Sequence, residues 1–413
     1  MSILRGGVMR SQQALDLSQA IYPSPMHGHT GFRIIGGPDI PYDNAIPKTY
    51  RAIIEIAAPS FEAVQPIFCT MRTANGYTVA GCNARPAANF DDPVGTPTAV
   101  TLPGGGVVAA AAAANNKTFM LGDWVDLPSI PRDDGGTGAI VIFDAYISTA
   151  GIIGLCGSAT TGSGTYGKFV TRERHKHRWR RSDGDCVTTP ANFTNPTDRG
   201  FSPIVGVRYL SMGRIVTVMG LGDSITEGIG TIRGEGFILP ACERASDLSP
   251  NITFEYANLG VGSTQSPTFS TYLDSALAVG LKPNVMCRPI GSPNDLGVPI
   301  VASNVASNRQ WLANNLKTCS ENGIAELLWT IFPVNPAVKN WNASDGLRVG
   351  YNADMLGEKG LSIIDLATVL SGVVDGDGQI NMLVGSTDDD IHPNDYGNSL
   401  PANAVAARLL KVR

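Results

Sequence analysis

Ile215-Val-Thr-Val-Met-Gly-Leu-Gly-Asp-Ser-Ile-Thr-Glu-Gly228 decides how the chain is read. Its first five residues are apolar or β-branched, the composition of a short buried strand. The glycines that follow, with Asp223 and Ser224, predict a tight strand-to-helix turn. Ser224 then stands at the helix start, where backbone N–H groups are unsatisfied and the dipole end is positive.

Downstream, strand-like runs alternate with helix-length segments. Helices are predicted over 237–247, 266–279, 304–322, 345–358 and 402–412, and strands over 252–259, from 284, over 324–332 and over 361–366. Such alternation predicts α/β architecture, a parallel sheet covered on both faces. Upstream the rhythm differs. Short alternating or β-branched runs at 52–57, 67–72, 77–82, 99–102, 118–121 and 139–147 are separated by Gly, Pro, Asn or Asp. They predict a β-sandwich, jelly-roll-like, over 49–210. Residues 1–48 read as an extended N-terminal arm, and 211–413 as the α/β domain.

Composition agrees with two such units. Residues 1–210 hold 18 Lys/Arg against 16 Asp/Glu, whereas 211–413 hold 13 against 20, so the halves present different surfaces. Charged residues are 16% of the chain, with 47 Gly and 27 Pro, which predicts a loop-rich, strand-rich protein. A net charge of −5 argues against a dedicated nucleic-acid binder. No apolar run is long enough for a transmembrane segment. The first residues lack an uninterrupted apolar core, so no secretory signal is read, and the compartment is left unassigned. Seven cysteines at wide spacing, with no C-x-x-C, are expected to be buried free thiols, a Cys69–Cys82 disulfide being the alternative.

Open parallel sheets bind ligands at the carboxyl ends of their strands. The loops there carry Ser224, then Asn258-Leu-Gly-Val-Gly-Ser-Thr264, Gly291-Ser-Pro-Asn-Asp295 and Asp388-Asp-Asp-Ile-His-Pro393. A hydroxyl, glycines, an amide, and a carboxylate three residues before a histidine suit nucleophilic acyl transfer. Ser224 is the candidate nucleophile, His392 its base, and Asp389 the group that orients His392. The Ser224 and Gly262 N–H groups and the Asn294 side-chain amide are the candidate oxyanion donors. Ser263 is an alternative to Gly262, and Asp388 or Asp390 would need another loop shape.

Four of these segments, Gly222-Asp-Ser-Ile-Thr226, Asn258-Leu-Gly-Val-Gly262, Asn294-Asp295 and Asp389-x-x-His392-Pro393, follow one another in the order found in SGNH (GDSL-type) hydrolases. The C-terminal half therefore resembles that family of esterases and lipases. The resemblance implies a three-layer sandwich around a five-stranded parallel, flavodoxin-like sheet, and ester hydrolysis without metal or cofactor. Two departures stand out: the third block is one residue longer than Gly-x-Asn-Asp, and the glycine block is one shorter. The stretch Gly122–Leu127 and the run 139–147 also resemble, more distantly, the β-sandwich preceding the catalytic domain in some multidomain members.

The expected activity is a serine esterase acting on short acyl groups, acetyl foremost, on a small-molecule or polysaccharide ester. A lipase, a general carboxylesterase or a thioesterase would use the same residues. An idle hydrolase domain in a carbohydrate-binding protein is the reading from another class. Several other features are read as structural. Arg172–Arg181 is a basic strand and loop, with contact to an acidic polymer as its functional alternative. His27, His29, His175 and His177 lack a metal-ligand pattern. Asp375-Gly-Asp-Gly378 lacks the closing Glu of a calcium loop. No G-x-S-x-G or nucleotide-binding motif occurs.

Overall fold

The computed structural model describes residues 29–411, apart from 36–38, 45, 72–74, 91–95, 111–116, 150, 158–176, 189–192, 194–196, 200 and 232–235. In chain order, the strands that position the site are β1 (His29–Ile34), β2 (Lys48–Glu55), β3 (Ala63–Met71), β4 (Tyr77–Ala87), β5 (Lys117–Leu121), β6 (Ile140–Ile147) and β7 (His177–Asp183). They continue as β8 (Ile204–Ser211), β9 (Arg214–Gly220), β10 (Ile252–Asn258), β11 (Val285–Pro289), β12 (Ala325–Trp329) and β13 (Ile363–Ile364). The helices are α1 (Ser224–Glu227), α2 (Ile238–Asp247), α3 (Ser266–Ala278), α4 (Pro293–Leu296), α5 (Ala302–Asn322), α6 (Asp345–Leu356), α7 (Leu366–Leu370) and α8 (Asp395–Leu409).

The chain is mixed α/β. One large sheet runs β13-β12-β11-β9-β10-β1-β8-β3-β5. Its first five strands are mutually parallel. At β1 it changes character: Ile34 pairs parallel with Ala257 of β10, while the whole of β1 pairs antiparallel with β8. The sheet then continues antiparallel through β3 and β5. β9 has its successor β10 on one side and β11 on the other, so the order reverses there and a crevice opens at the carboxyl end of β9.

Both faces of the parallel part are covered. Val216, Val218, Phe254, Tyr256, Val285 and Cys287 pack with α2 and α8 in one apolar cluster. Met219, Ala257, Met286 and Leu328 pack with α3, α5 and α6 in another, which also takes in Phe32, Ile34, Ile67 and Phe119. Burial on both sides explains why these strands read as continuous apolar runs rather than alternating ones. Upstream, β2, β4, β6 and β7 belong to a second, antiparallel sheet. Tyr50, Val79, Phe143 and Trp179 from that sheet share an apolar cluster with Val64, Phe68, Val207 and Tyr209 of the large one.

Several expectations need adjusting. Within the stretch read as an arm, His29–Ile34 is an interior strand; residues 1–28 lie outside the described residues. The strand expected over 361–366 shrinks to two residues, because Asp365 caps α7 by accepting from Thr368 N–H. The closing helix starts at Asp395 rather than 402. Asn394 caps it, and burial of Ala402, Val405, Ala406 and Leu409 outweighs the interior Pro401.

Cys69 and Cys82 are free and buried, as are Cys186, Cys242, Cys287 and Cys319. Of the basic run, residues 172–176 lie outside the described residues, while His177–Arg181 belongs to β7, paired with β2, with Trp179 buried. His177 stacks beside Trp179, their ring centroids 4.9 Å apart. Among the described residues no group of three or more His, Cys, Asp or Glu is placed to hold a metal. Among the same residues no helix is long and apolar enough to cross a membrane.

Candidate active site

The site is built on the turn between β9 and α1. Gly222 passes so close to Thr226 Oγ1 that a Cβ would overlap it, so the tight turn needs glycine there. Asp223 is the N-cap of α1, accepting from Ile225 N–H at 2.9 Å. Ser224 is the first helical residue and is 8% exposed.

Across the crevice, the loop before α8 brings His392 over Ser224. His392 Nε2 lies 2.8 Å from Ser224 Oγ, and Nδ1 lies 2.6 Å from Asp389 Oδ2. Asp389 Oδ1 also accepts from the His392 N–H at 2.8 Å and from Ile391 N–H at 3.2 Å. Burial works to raise the Asp389 carboxyl, but the hydrogen bonds from the His392 ring and amide outweigh it and hold the carboxyl below its ordinary value. The other two aspartates face elsewhere. Asp388 accepts from Asn394 Nδ2 at 2.8 Å, and Asp390 accepts from Asn335 Nδ2 at 2.6 Å.

The asparagine loop is anchored by a capping box around α4. Ser292 Oγ accepts from Asn294 N–H at 3.1 Å, and Asp295 accepts from Ser292 N–H at 2.8 Å. Ser292 Oγ–H in turn donates to Asp223, tying this loop to the cap of the nucleophile helix. Asp295 also accepts from the N–H and Oγ–H of Ser266, at the start of α3. Burial raises the carboxyls of both Asp223 and Asp295, against these hydrogen bonds. Lys339 Nζ donates to Pro293 O at 3.0 Å; burial lowers its ammonium, against the attraction of Asp223 and Asp295. The Asn294 side chain donates to Thr264 O at 3.1 Å, which joins the asparagine loop to the glycine loop. The extra residue of the third block is thus accommodated by a one-turn helix with its own cap.

In the glycine loop, Gly260 lies against the Glu227 backbone, where no Cβ would fit. The Gly262 N–H donates to the carboxylate of Glu227, at the other end of α1. Ser263 adopts a left-handed conformation with φ +61. Ser224, His392 and Asp389 are therefore brought into one hydrogen-bond chain, with the Asn294 and Gly262 loops bordering it. Two residues of the site, Glu227 and Ser292, are not among the candidates that the sequence motifs supply. Ser292 carries a usable signal, since Ser-x-x-Asp is a capping-box spacing. Glu227 carries none, because its partner is 35 residues away.

No protein-family profile matches the chain, and no curated protein matches it. Among solved structures, the neighbours are GDSL-type acylhydrolases, lipases and esterases. An acetyl xylan esterase aligns at TM-score 0.38 and 20% identity, over 47% of this chain and 100% of its own. A GDSL-like lipase from Bacteroides thetaiotaomicron aligns at 0.35 and 16%, over 46% and 88%. A two-domain esterase active on acetylated mannans aligns at 0.35 and 21%, over 48% of this chain and 50% of its own.

Proposed function

We propose that the protein is a serine esterase that works through an acyl-enzyme. The observation that carries this reading is the unbroken chain Asp389–His392–Ser224, with contacts of 2.6 and 2.8 Å. Ser224 Oγ attacks the ester carbonyl while His392 Nε2 takes its proton. Asp389 holds the ring in the tautomer that leaves Nε2 free to accept, and stabilises the imidazolium that forms. The carbonyl oxygen becomes an oxyanion, met by backbone N–H groups at α1 and the glycine loop and by the Asn294 amide. His392 returns the proton to the departing alcohol. Water then repeats the sequence on the acyl-enzyme, releasing the acid and restoring Ser224.

The acyl group is short, acetyl foremost. Ser224 is 8% exposed, and the glycine loop lies close beside it. The alcohol belongs to a small molecule or a polysaccharide. Residues 49–210 form a β-sandwich-like accessory unit that would hold a polymer beside the site, and 211–413 the catalytic unit. The second sheet and the antiparallel part of the large one, which share one apolar cluster, support that division. The idle-domain reading would fit a displaced histidine or aspartate, and the favourable contacts of all three residues speak against it.

The test is hydrolysis of p-nitrophenyl acetate, butyrate and octanoate by wild type and Ser224→Ala. The variant is expected to lose about 10⁴-fold or more in kcat while keeping its fold, with acetate the best substrate. Equal rates for the two proteins would overturn the esterase reading, and an octanoate preference the short-acyl one.

A further inference from the structure

α1 has only four residues, yet the helix and its N-cap carry two buried carboxylates, one on each side of Ser224. Asp223 receives the Ser292 hydroxyl and so holds the asparagine loop. Glu227 receives the Gly262 N–H and so holds the glycine loop. Each wall of the oxyanion site is thus referenced to the helix that bears the nucleophile.

The consequence for the glycine loop is specific. Three successive N–H groups, of Gly262, Ser263 and Thr264, follow one another in this loop. That of Gly262 is spent on Glu227, and that of Thr264 donates to Val261 O at 3.3 Å. Between them, the Ser263 N–H donates to no protein acceptor among the described residues. Ser263 is also the residue in the left-handed conformation, a shape that a non-glycine residue holds only when its surroundings impose it. The turn is close enough to Ser224 that a Cβ on Gly262 would stand 3.8 Å from Ser224 Cβ.

We propose that Ser263, not Gly262, supplies the second backbone donor to the oxyanion, and that Glu227 is the positioning residue that sets it by binding the Gly262 N–H. This rests on the esterase reading above. Glu227 touches no reacting atom. It consumes one N–H so that the peptide after it is turned toward the developing charge. Because a misplaced donor helps the transition state less and the bound ester hardly at all, Glu227 acts on kcat rather than KM.

The experiment compares Glu227→Ala, Glu227→Gln and Glu227→Asp in the full chain, with p-nitrophenyl acetate and with phenylboronic acid, whose tetrahedral adduct mimics the intermediate. Glu227→Ala should lower kcat by about 10²-fold and weaken boronate inhibition in parallel, at nearly unchanged KM. Glu227→Gln keeps an acceptor for the Gly262 N–H and should restore most of the rate. Glu227→Asp, one methylene short, should behave like the alanine variant; it serves if the alanine variant fails to fold. Wild-type kcat in folded Ala and Asp variants, or a loss in KM alone, would overturn the proposal. Amide hydrogen exchange separates this result from the esterase reading itself. Even if the wild type shows no Ser224-dependent hydrolysis, faster exchange at Gly262 in the alanine or aspartate variant supports the anchoring role, and unchanged exchange refutes it.

Discussion

Asp389 grips His392 at two points, the ring Nδ1 at 2.6 Å and the main-chain N–H at 2.8 Å. One carboxylate therefore sets both the tautomer and the loop that carries the ring. The neighbouring aspartates are spent on Asn394 and Asn335. Asp389→Asn should lower kcat for p-nitrophenyl acetate by about 10³–10⁴-fold, because the amide favours the wrong tautomer. Asp388→Asn and Asp390→Asn should keep most of the activity. A ranking in which either neighbour matters more than Asp389 would contradict this assignment.

Asn294 and Ser292 should separate in the same assay. Removing the Asn294 amide deletes a candidate oxyanion donor and should cost about 10²–10³-fold in kcat. Ser292→Ala leaves that amide in place but removes the cap of α4 and the bond to Asp223. Its rate should fall between wild type and Asn294→Ala, and its unfolding free energy should drop by about 0.5–2 kcal/mol. Steady-state kinetics and urea unfolding of the two variants check both effects.

The halves are predicted to unfold together. Glu255 on β10 pairs with Arg33 on β1 at 3.6 Å, and neither side chain is exposed. The same carboxylate accepts from Tyr209 Oη–H and from Ala57 N–H. Arg33→Met would strand a buried carboxylate and should destabilise the protein by about 3–5 kcal/mol. Urea unfolding should show one transition by circular dichroism and by tryptophan fluorescence, and the isolated fragment 211–413 should fail to fold. Two separable transitions would refute the coupling.

Asp223 gives a pH signature. Burial raises its carboxyl above the unfolded value. Over the window between the two values, the folded protein keeps a proton that the unfolded chain has released. Stability from this group is therefore present at acid pH and lost as pH rises through the raised value. Asp223→Asn removes the titration, and its amide oxygen can still cap α1. Its stability relative to wild type should increase from acid toward neutral pH in urea unfolding, and a flat difference would exclude the mechanism.

Much of the α/β fold and of the candidate site is legible in the amino-acid sequence alone. The apolar strand 215–219, the glycines that follow it, and the i, i+3 spacing of Asp389 and His392 are local patterns, and local patterns survive in a one-dimensional reading. Strand–helix alternation likewise predicts the parallel sheet, because burial on both faces leaves continuous apolar runs. The tertiary structure alone decided the rest. His29–Ile34 is bounded by Gly and Pro and has no period of its own; it is a strand because β8 and β10 offer it unpaired edges. Glu255 reads as a charge in a strand until Arg33, Tyr209 and Ala57 surround it. Glu227 reads as an ordinary first-turn acid until Gly262 reaches it. These residues depend on partners brought from far along the chain, and a buried polar group takes its role from whichever partner satisfies it.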